Sequence, residues 1–255
     1  MQKIYLGIDI GGTKTKAILL DIKSGRRFSA FNGKTPKNFS VFKNFLGKNI
    51  KEIIKKNKIS GIGIGLPGMI KNGKLLKAPH LPFLKNWQAK KFFSKFGKKI
   101  MIENDSRCFL IAEAKMGAGK AHKNIAAVTV GTGIGGGLMI NGKIYRGAGS
   151  AGEFGHIIID NKKTLEGLGA KNAFKKRGDR SRIIGIGVAN VINYFDPDLV
   201  ILGGGGVFRG GVNMEKVKKV ARKNIISPIS KKTKIVRGKL GEDAQAIGAA
   251  LLFKI

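Results

Sequence analysis

The stretch KIYLGIDIGGTKTKAILLD, residues 3–21, is matched in form by AAVTVGTGIGGGLMINGKIY, residues 126–145. Each reads as an apolar strand, a turn of bare glycines and a second apolar strand. A chain that carries this unit twice, about 120 residues apart, is constrained to two similar halves. The segments after the two copies are also alike. Phe42, Phe45, Leu46, Ile50, Ile53 and Ile54 recur at helical spacing and predict a helix over 39–57. Next comes ISGIGIGLPGMIKNGKLLKA, a strand, a glycine turn and a hairpin signalled by Asn72-Gly73. The loop APHLPFLKNW leads to the strand KIMIEND and a helix over 106–116 closed by Gly117. In the second half a hairpin at Asn141-Gly142 precedes an apolar helix over 183–195, ended by Asp196-Pro197. The strand PDLVILGGGGV comes after it, and EDAQAIGAALLFKI predicts a last helix with an acidic first turn. Strands and helices arranged in this way give two α/β domains facing one cleft.

Two glycine patterns, Gly63-Gly65-Gly68 and Gly131-Gly133-Gly136, match G-x-G-x-x-G. A dinucleotide site needs such a turn to open a helix, and both of these run into strands, so that reading fails on context. The chain has no Gly-Lys-Ser/Thr, so it carries no P-loop. Strand–glycine–strand turns can still hold phosphate, because amides without a Cβ in the way form a nest for an anion. Gly11, Gly12 and Thr13 offer one such turn, with the charge of Lys14 beside it. Gly131, Thr132 and Gly133 offer the other. Asp9 closes the strand before the first turn, where it can orient Mg²⁺ through water or cap the turn.

Charge is lopsided: 49 Lys and Arg stand against 15 Asp and Glu, a formal +34. Such a surface attracts polyanions. The lysines run through the whole chain, though, with neither the basic–aromatic interleaving of a single-strand binder nor zinc-finger spacing, so no specific nucleic-acid partner is expected. The scarcity of acids makes each one set in a glycine-rich or apolar motif informative. Cys108 is the only cysteine, which excludes an internal disulfide and a cysteine-based zinc site. The N-terminal stretch lacks the apolar core of a signal peptide, and no apolar run reaches the length of a membrane span. A cytoplasmic protein with no membrane partner is the expectation.

DIGGTKTKAILLD, GIGLPGMI, IENDSRC, VGTGIGGGLMINGKIYRGAGSAGEFGH and LVILGGGGV together resemble the ROK family of sugar kinases and repressors, over residues 4 to about 252. The resemblance implies a two-lobed actin-like, hexokinase-type (ribonuclease H-like) ATPase fold with duplicated βββαβα domains. The small N-terminal lobe would comprise 1–105 and 243–255, and the large lobe 106–242. The lobes would close on the substrate about a hinge near 104–106, and the protein would form a homodimer. It also implies that the Gly11–Thr13 and Gly131–Gly133 turns grip ATP phosphates and that glycines of the 203–206 run, Gly204 and Gly205 among them, flank the adenosine. In this family the aspartate corresponding to Asp105 is the general base toward a sugar hydroxyl, with Asn104 and Gly68 at the sugar. Capping of the adjoining helix is the ordinary alternative for Asp105.

The stretch GEFGHIIIDNKKTLEGLG, 152–169, departs from the family. There a glutamate and a histidine spaced like Glu153 and His156 contact sugar, and the histidine joins three cysteines on a structural zinc. Here the cysteine loop is missing, and Leu165-Glu166 aligns with the pair after it. Zinc is therefore expected to be absent, with Glu153, His156 and Glu166 left as sugar ligands. His80, in PHLP, stands where the family often has asparagine, which alters the donor–acceptor shape offered to the sugar. The implied activity is an ATP- and Mg²⁺-dependent hexose kinase, with the C6 hydroxyl of glucose as the leading acceptor. Fructose, mannose, N-acetylglucosamine and N-acetylmannosamine are alternatives. Compact members without the zinc loop include polyphosphate-using glucokinases, so polyphosphate is a second candidate donor. A non-catalytic, sugar-responsive regulator is the alternative of a different class; only three residues precede the first strand, which speaks against a preceding DNA-binding domain.

Overall fold

The structure, a computed structural model, describes residues 3–170 and 180–254. The chain divides into two compact units, Met1–Ala112 with Asp243–Ile255, and Glu113–Glu242.

In the first unit the chain runs β1 (Ile4–Ile10), β2 (Lys14–Asp21), β3 (Arg27–Lys34), α1 (Phe39–Lys56), β4 (Gly61–Leu66), β5 (Met69–Lys71), β6 (Lys74–Lys77), α2 (Ala89–Ser94), β7 (Lys99–Asn104) and α3 (Asp105–Met116). Its main sheet has the order β3-β2-β1-β4-β7, with β1, β2 and β3 antiparallel and β4 and β7 parallel to β1. The second unit continues with β8 (Ile125–Val130), β9 (Ile134–Ile140), β10 (Lys143–Tyr145), β11 (Ile158–Asp160), β12 (Lys163–Thr164), α4 (Leu165–Gly169), α5 (Arg180–Phe195), β13 (Leu199–Gly203), α6 (Gly205–Phe208), α7 (Met214–Asn224) and β14 (Lys234–Arg237). Its sheet has the order β10-β9-β8-β13-β14 with the same senses. The duplication read from the glycine turns is thus a duplication of sheet topology. The last helix, α8 (Ala244–Leu251), returns to the first unit.

Local chemistry explains the main elements. Asn38 caps α1 by accepting hydrogen bonds from the N–H groups of Ser40 and Val41. Phe42, Leu46, Ile50 and Ile53 of α1 are buried in one core with Leu6, Ile8, Ile62 and Ile64 of the sheet. Gly63, between Ile62 and Ile64, and Gly7, between Leu6 and Ile8, face the other way, toward α8. A Cβ on Gly63 would lie 1.8 Å from the carbonyl oxygen of Ala249, and one on Gly7 would lie 2.0 Å from that of Ala246. The helix therefore packs backbone to backbone on β1 and β4, which explains why Gly63 matched a nucleotide-binding pattern without being one. Both Asn-Gly hairpins form, with Asn72 and Asn141 at φ 51°.

Three local expectations are corrected. The helix expected over 183–195 begins at Arg180. The helix expected over 106–116 begins one residue earlier, at Asp105. The acids of EDAQ lie before the last helix, where Glu242 and Asp243 form a short 3₁₀ turn (Gly241–Asp243), so its first turn carries none. Among the described residues no helix is long and apolar enough to cross a membrane.

Candidate active site

In the first unit β7 delivers Asn104 and Asp105 to the start of α3. The Oδ1 of Asn104 accepts from the backbone N–H groups of Ser106 (3.0 Å) and Arg107 (3.2 Å), so the asparagine performs the capping. Its Nδ2 donates to the carbonyl of Gly68 at 3.3 Å. The capping role considered for Asp105 is thus shared with its neighbour. The Oδ1 of Asp105 accepts from the N–H of Ser106 at 2.8 Å. Beneath the pair, Glu103 and Arg107 form a buried ion pair, Nη1 to Oε1 3.1 Å, and the same Oε1 accepts from the N–H of Asn104. This brace joins the last residues of β7 to the first turn of α3. Glutamate at one position and arginine four further on is a helical pairing pattern that a sequence reading could have flagged.

Asp9 ends β1 opposite Lys16 of β2 and beside Gly65 of β4. Part of its surface remains accessible, yet protein packs closely round it. Burial, reinforced by the negative charge of Asp105, pushes its carboxyl up to about 8, against the pull of Lys16. Lys16 itself pairs with Asp243 at 2.6 Å. Asp9 and Asp105 thus form a pair of carboxylates close enough to repel, and that repulsion is what a cation would relieve.

The turn after Asp9 is held by its carbonyls. Thr35 Oγ1 donates to the carbonyl of Gly11 at 2.8 Å, its N–H donates to that of Thr13 at 3.0 Å, and Lys37 Nζ donates to that of Gly12. With the carbonyls so occupied, the amides of Gly12 and Thr13 are the groups the turn can offer an anion, with Lys14 exposed beside them. Neither Thr35 nor Lys37 carries a local sequence signal; both come after β3, and only tertiary packing brings them to the turn. His80 comes to the same place, since a Cβ on Gly12 would lie 3.1 Å from His80 Cβ. Gly68 has φ +98°, and a Cβ there would lie 2.1 Å from the carbonyl of Lys77. Only glycine fits this bend.

In the second unit the 152–169 stretch folds as a 3₁₀ turn (Phe154–His156), the β11–β12 hairpin and α4. Glu153 is partly buried and His156 exposed. Glu166 lies in the first turn of α4, which Thr164 caps by accepting from Gly167. One oxygen of Glu166 accepts from the backbone N–H of Ile134 at 2.6 Å. A Cβ on Gly155 would sit 2.0 Å from the carbonyl of Ile134 and 3.4 Å from Glu166 Cβ. The backbone between Glu153 and His156, the carboxylate of Glu166 and the residue just after the Gly131–Gly133 turn are therefore in one cluster. Between β11 and β12 the chain turns through Asn161 and Lys162, at φ 37° and 62°. The lack of a glycine hid that hairpin from sequence reading. Among the described residues no three His, Cys, Asp or Glu groups cluster as a metal site would require.

The second glycine turn is closed by a hydrogen bond from the N–H of Gly131 to the carbonyl of Gly133, 2.8 Å, with Thr132 at its tip. It adjoins the turn after β13. Gly204, at φ +84°, approaches so closely that a Cβ would lie 2.6 Å from the carbonyl of Val130. Gly205 then opens the short helix α6. The residues expected to hold phosphate and those expected to flank an adenosine are neighbours within this unit.

A family model described as the ROK family matches residues 5–171 and 165–255. An uncharacterised protein of Clostridium perfringens strain 13 is 30% identical over 98% of both chains. A glucokinase of Streptomyces coelicolor is 25% identical over 97% of this chain and 96% of that one. Among solved structures, a ROK family glucokinase from Streptomyces griseus in complex with glucose and AMPPNP has a TM-score of 0.87 at 24% identity, over 98% of each chain. That likeness shows the actin-like, hexokinase-type fold expected from the sequence.

Proposed function

Because this chain belongs to the ROK family, we propose that it is an ATP-dependent hexose kinase that phosphorylates the C6 hydroxyl of glucose, with Asp105 as general base. The observation that carries this reading is the division of labour at the end of β7. Asn104 accepts from the N–H groups of both Ser106 and Arg107, so capping of the helix does not depend on the Asp105 carboxylate alone. In the reaction the hydroxyl oxygen of the hexose forms a bond to the γ-phosphorus as the bond from phosphorus to the β–γ bridging oxygen breaks. ADP leaves with that electron pair, and the hydroxyl proton passes to Asp105. The bonds already made by Asn104 leave it one amide N–H, so it serves as a donor to the sugar.

The carboxylates of Glu153 and Glu166, which can accept more than one hydrogen bond, and His156, with one donor and one acceptor when neutral, suit recognition of adjacent sugar hydroxyls. The Gly11–Lys14 and Gly131–Gly133 turns offer amides for the nucleotide phosphates, and Gly204 and Gly205 the flank of the adenosine. Asp9, whose carboxyl is crowded by burial and by the charge of Asp105, fits Mg²⁺, which is commonly held by one or two carboxylates together with water and substrate phosphate. When bound, the ion neutralises charge that builds on the phosphoryl oxygens.

The test is product formation across a hexose panel with ATP or polyphosphate at two salt concentrations, repeated with Asp105→Asn. Loss of a proton acceptor is expected to lower turnover roughly 100- to 10,000-fold while sugar binding persists. Near-normal turnover in that variant would remove Asp105 from the role. A greater rate with polyphosphate, falling steeply with salt, would change the donor. No product with any hexose would favour a regulatory member of the family.

A further inference from the structure

The most exposed large aliphatic side chains of the described residues are Ile226 and Ile229, at 84% and 78% exposure, and the most exposed large aromatic is Tyr194, at 68%. They belong to one end of the second unit. Asn193, near the end of α5, donates from Nδ2 to the carbonyl of Asn224 at 3.0 Å and accepts at Oδ1 from the N–H of Ile226 at 3.1 Å. Ser230 Oγ donates to Asp196 at 2.6 Å, and Thr233 Oγ1 donates to the carbonyl of Pro197 at 3.1 Å. The loop bearing the isoleucines is therefore stitched alongside Tyr194 and Phe195, which is itself 41% exposed. Apolar groups presented by a fixed loop carry a standing cost in water unless something covers them.

The charge around them points to what that is. Residues 216–241 contain ten Lys and Arg and neither Asp nor Glu. Lys231 and Lys232, two and three residues after Ile229, are exposed. The two acids at the end of α5 are engaged locally, Asp196 with Ser230 and Asp198 with the N–H of Asn124. We propose that this end of the unit docks on an anionic lipid surface, with Ile226, Ile229 and Tyr194 entering the headgroup boundary and the surrounding lysines meeting the lipid phosphates. Protruding aliphatic groups beside cations are the combination that such surfaces reward. A nucleic acid would use the cations but has no partner for bare isoleucines, and two copies meeting through this same end would set its lysine-rich segment against its own like charge. The sequence expectation of no membrane partner rested on the lack of a spanning segment, which peripheral docking does not need.

The test is co-sedimentation of the full chain with vesicles of phosphatidylcholine alone or with added phosphatidylglycerol, at low and high salt. Binding is expected only to the anionic vesicles, weakening as salt rises. The double variant Ile226→Ser, Ile229→Ser is expected to weaken it about tenfold or more, and Lys231→Gln with Lys232→Gln to weaken it and flatten the salt dependence. Circular dichroism should be unchanged, because all four side chains are exposed. Failure to bind anionic vesicles at low salt overturns the proposal. So does binding that ignores the serine variant, which would be charge adsorption alone. A dimer in sedimentation equilibrium that the serine variant dissociates, or RNA binding that the serine variant abolishes, would likewise overturn it and assign the patch to that partner.

Discussion

Replacing Glu113 by alanine should cost more stability than any other removal of a single carboxylate from this chain. Glu113 is fully buried near the end of α3. Its Oε2 accepts from the backbone N–H groups of Ala118 at 2.8 Å and Lys239 at 3.1 Å, and its Oε1 from that of Leu240 at 2.9 Å. One side chain thus ties the turn after α3 to a segment 126 residues away. Gly117 is the complement of this arrangement, because a Cβ there would lie 2.0 Å from Oε2. Hydrogen bonds to a charged group contribute about 1.5–3 kcal/mol each, so three give an upper bound of about 9 kcal/mol. Lys239 is exposed and Ala118 and Leu240 are partly so, which lets water reach the freed amides and lowers the cost. Removal of a buried charge offsets a further part. The net expectation is about 3–4 kcal/mol for Glu113→Ala and about 2 kcal/mol for Glu113→Gln, which keeps two of the three bonds. At roughly 2–4 °C per kcal/mol for a chain of this size, the alanine variant should melt roughly 6–16 °C lower. A chain of two units need not melt in one step, so amide exchange supplies the second readout, with Ala118, Lys239 and Leu240 expected to exchange faster. Melting unchanged within about 3 °C together with unaltered exchange at those three amides would refute the reasoning.

Two further substitutions test the packing of α8 on the sheet. Gly63→Ala is expected to destabilise by about 3 kcal/mol or more, because its Cβ would meet backbone at 1.8 Å, whereas Gly65→Ala, whose nearest neighbour lies 3.5 Å away, should cost under about 1 kcal/mol; chemical denaturation of both variants measures the contrast. Asp21 supplies a pH test. The N–H of Lys23, helped by Ser24, holds its carboxyl below the usual value of 3.8. A depressed carboxyl stabilises the fold above 3.8 and loses that contribution as pH falls through the depressed value. Urea unfolding should therefore show Asp21→Asn less stable than the parent at neutral pH, with the gap closing in acid.

The sequence makes legible whatever local pattern dictates. The strand–glycine–strand units, the α1 period and the Asn72-Gly73 and Asn141-Gly142 hairpins depend on neighbours a few residues apart, and all of them form. The elements that escape a sequence reading lack such a signature. β3, RFSAFNGK, is mostly exposed and shows no clean alternation of burial. The helix α7, MEKVKKVARKN, buries only Val217 and Ala221 under a coat of lysines, so its apolar stripe is thin. The site divides in the same way. Glycine turns and the IEND acids are consecutive residues and stand out. Thr35, Lys37 and the contact between Glu166 and Ile134 arise from tertiary approach, which no spacing rule encodes. Gly63 shows the converse, since its pattern is visible but its cause, the backbone of α8, is not.

The disposition of the carboxylates gives this division a physical sense. In a chain with so few acids, simple charge balance would set them among the lysines. Asp243, Glu242 and Glu215 are so placed, but Asp21, Glu103, Glu113, Glu166 and Asp198 each turn to a backbone N–H. Their function is to close turns and helix ends, where an oxygen that accepts two bonds has no neutral substitute of equal strength. Asp9 differs. Burial and the charge of Asp105 raise the cost of its own charge, which Lys16 only partly relieves. A fold that buries Asp9 next to the charge of Asp105 bears that cost where a ligand can offset it. This is the physical ground for seeking the reacting centre at Asp105 and the cation beside Asp9.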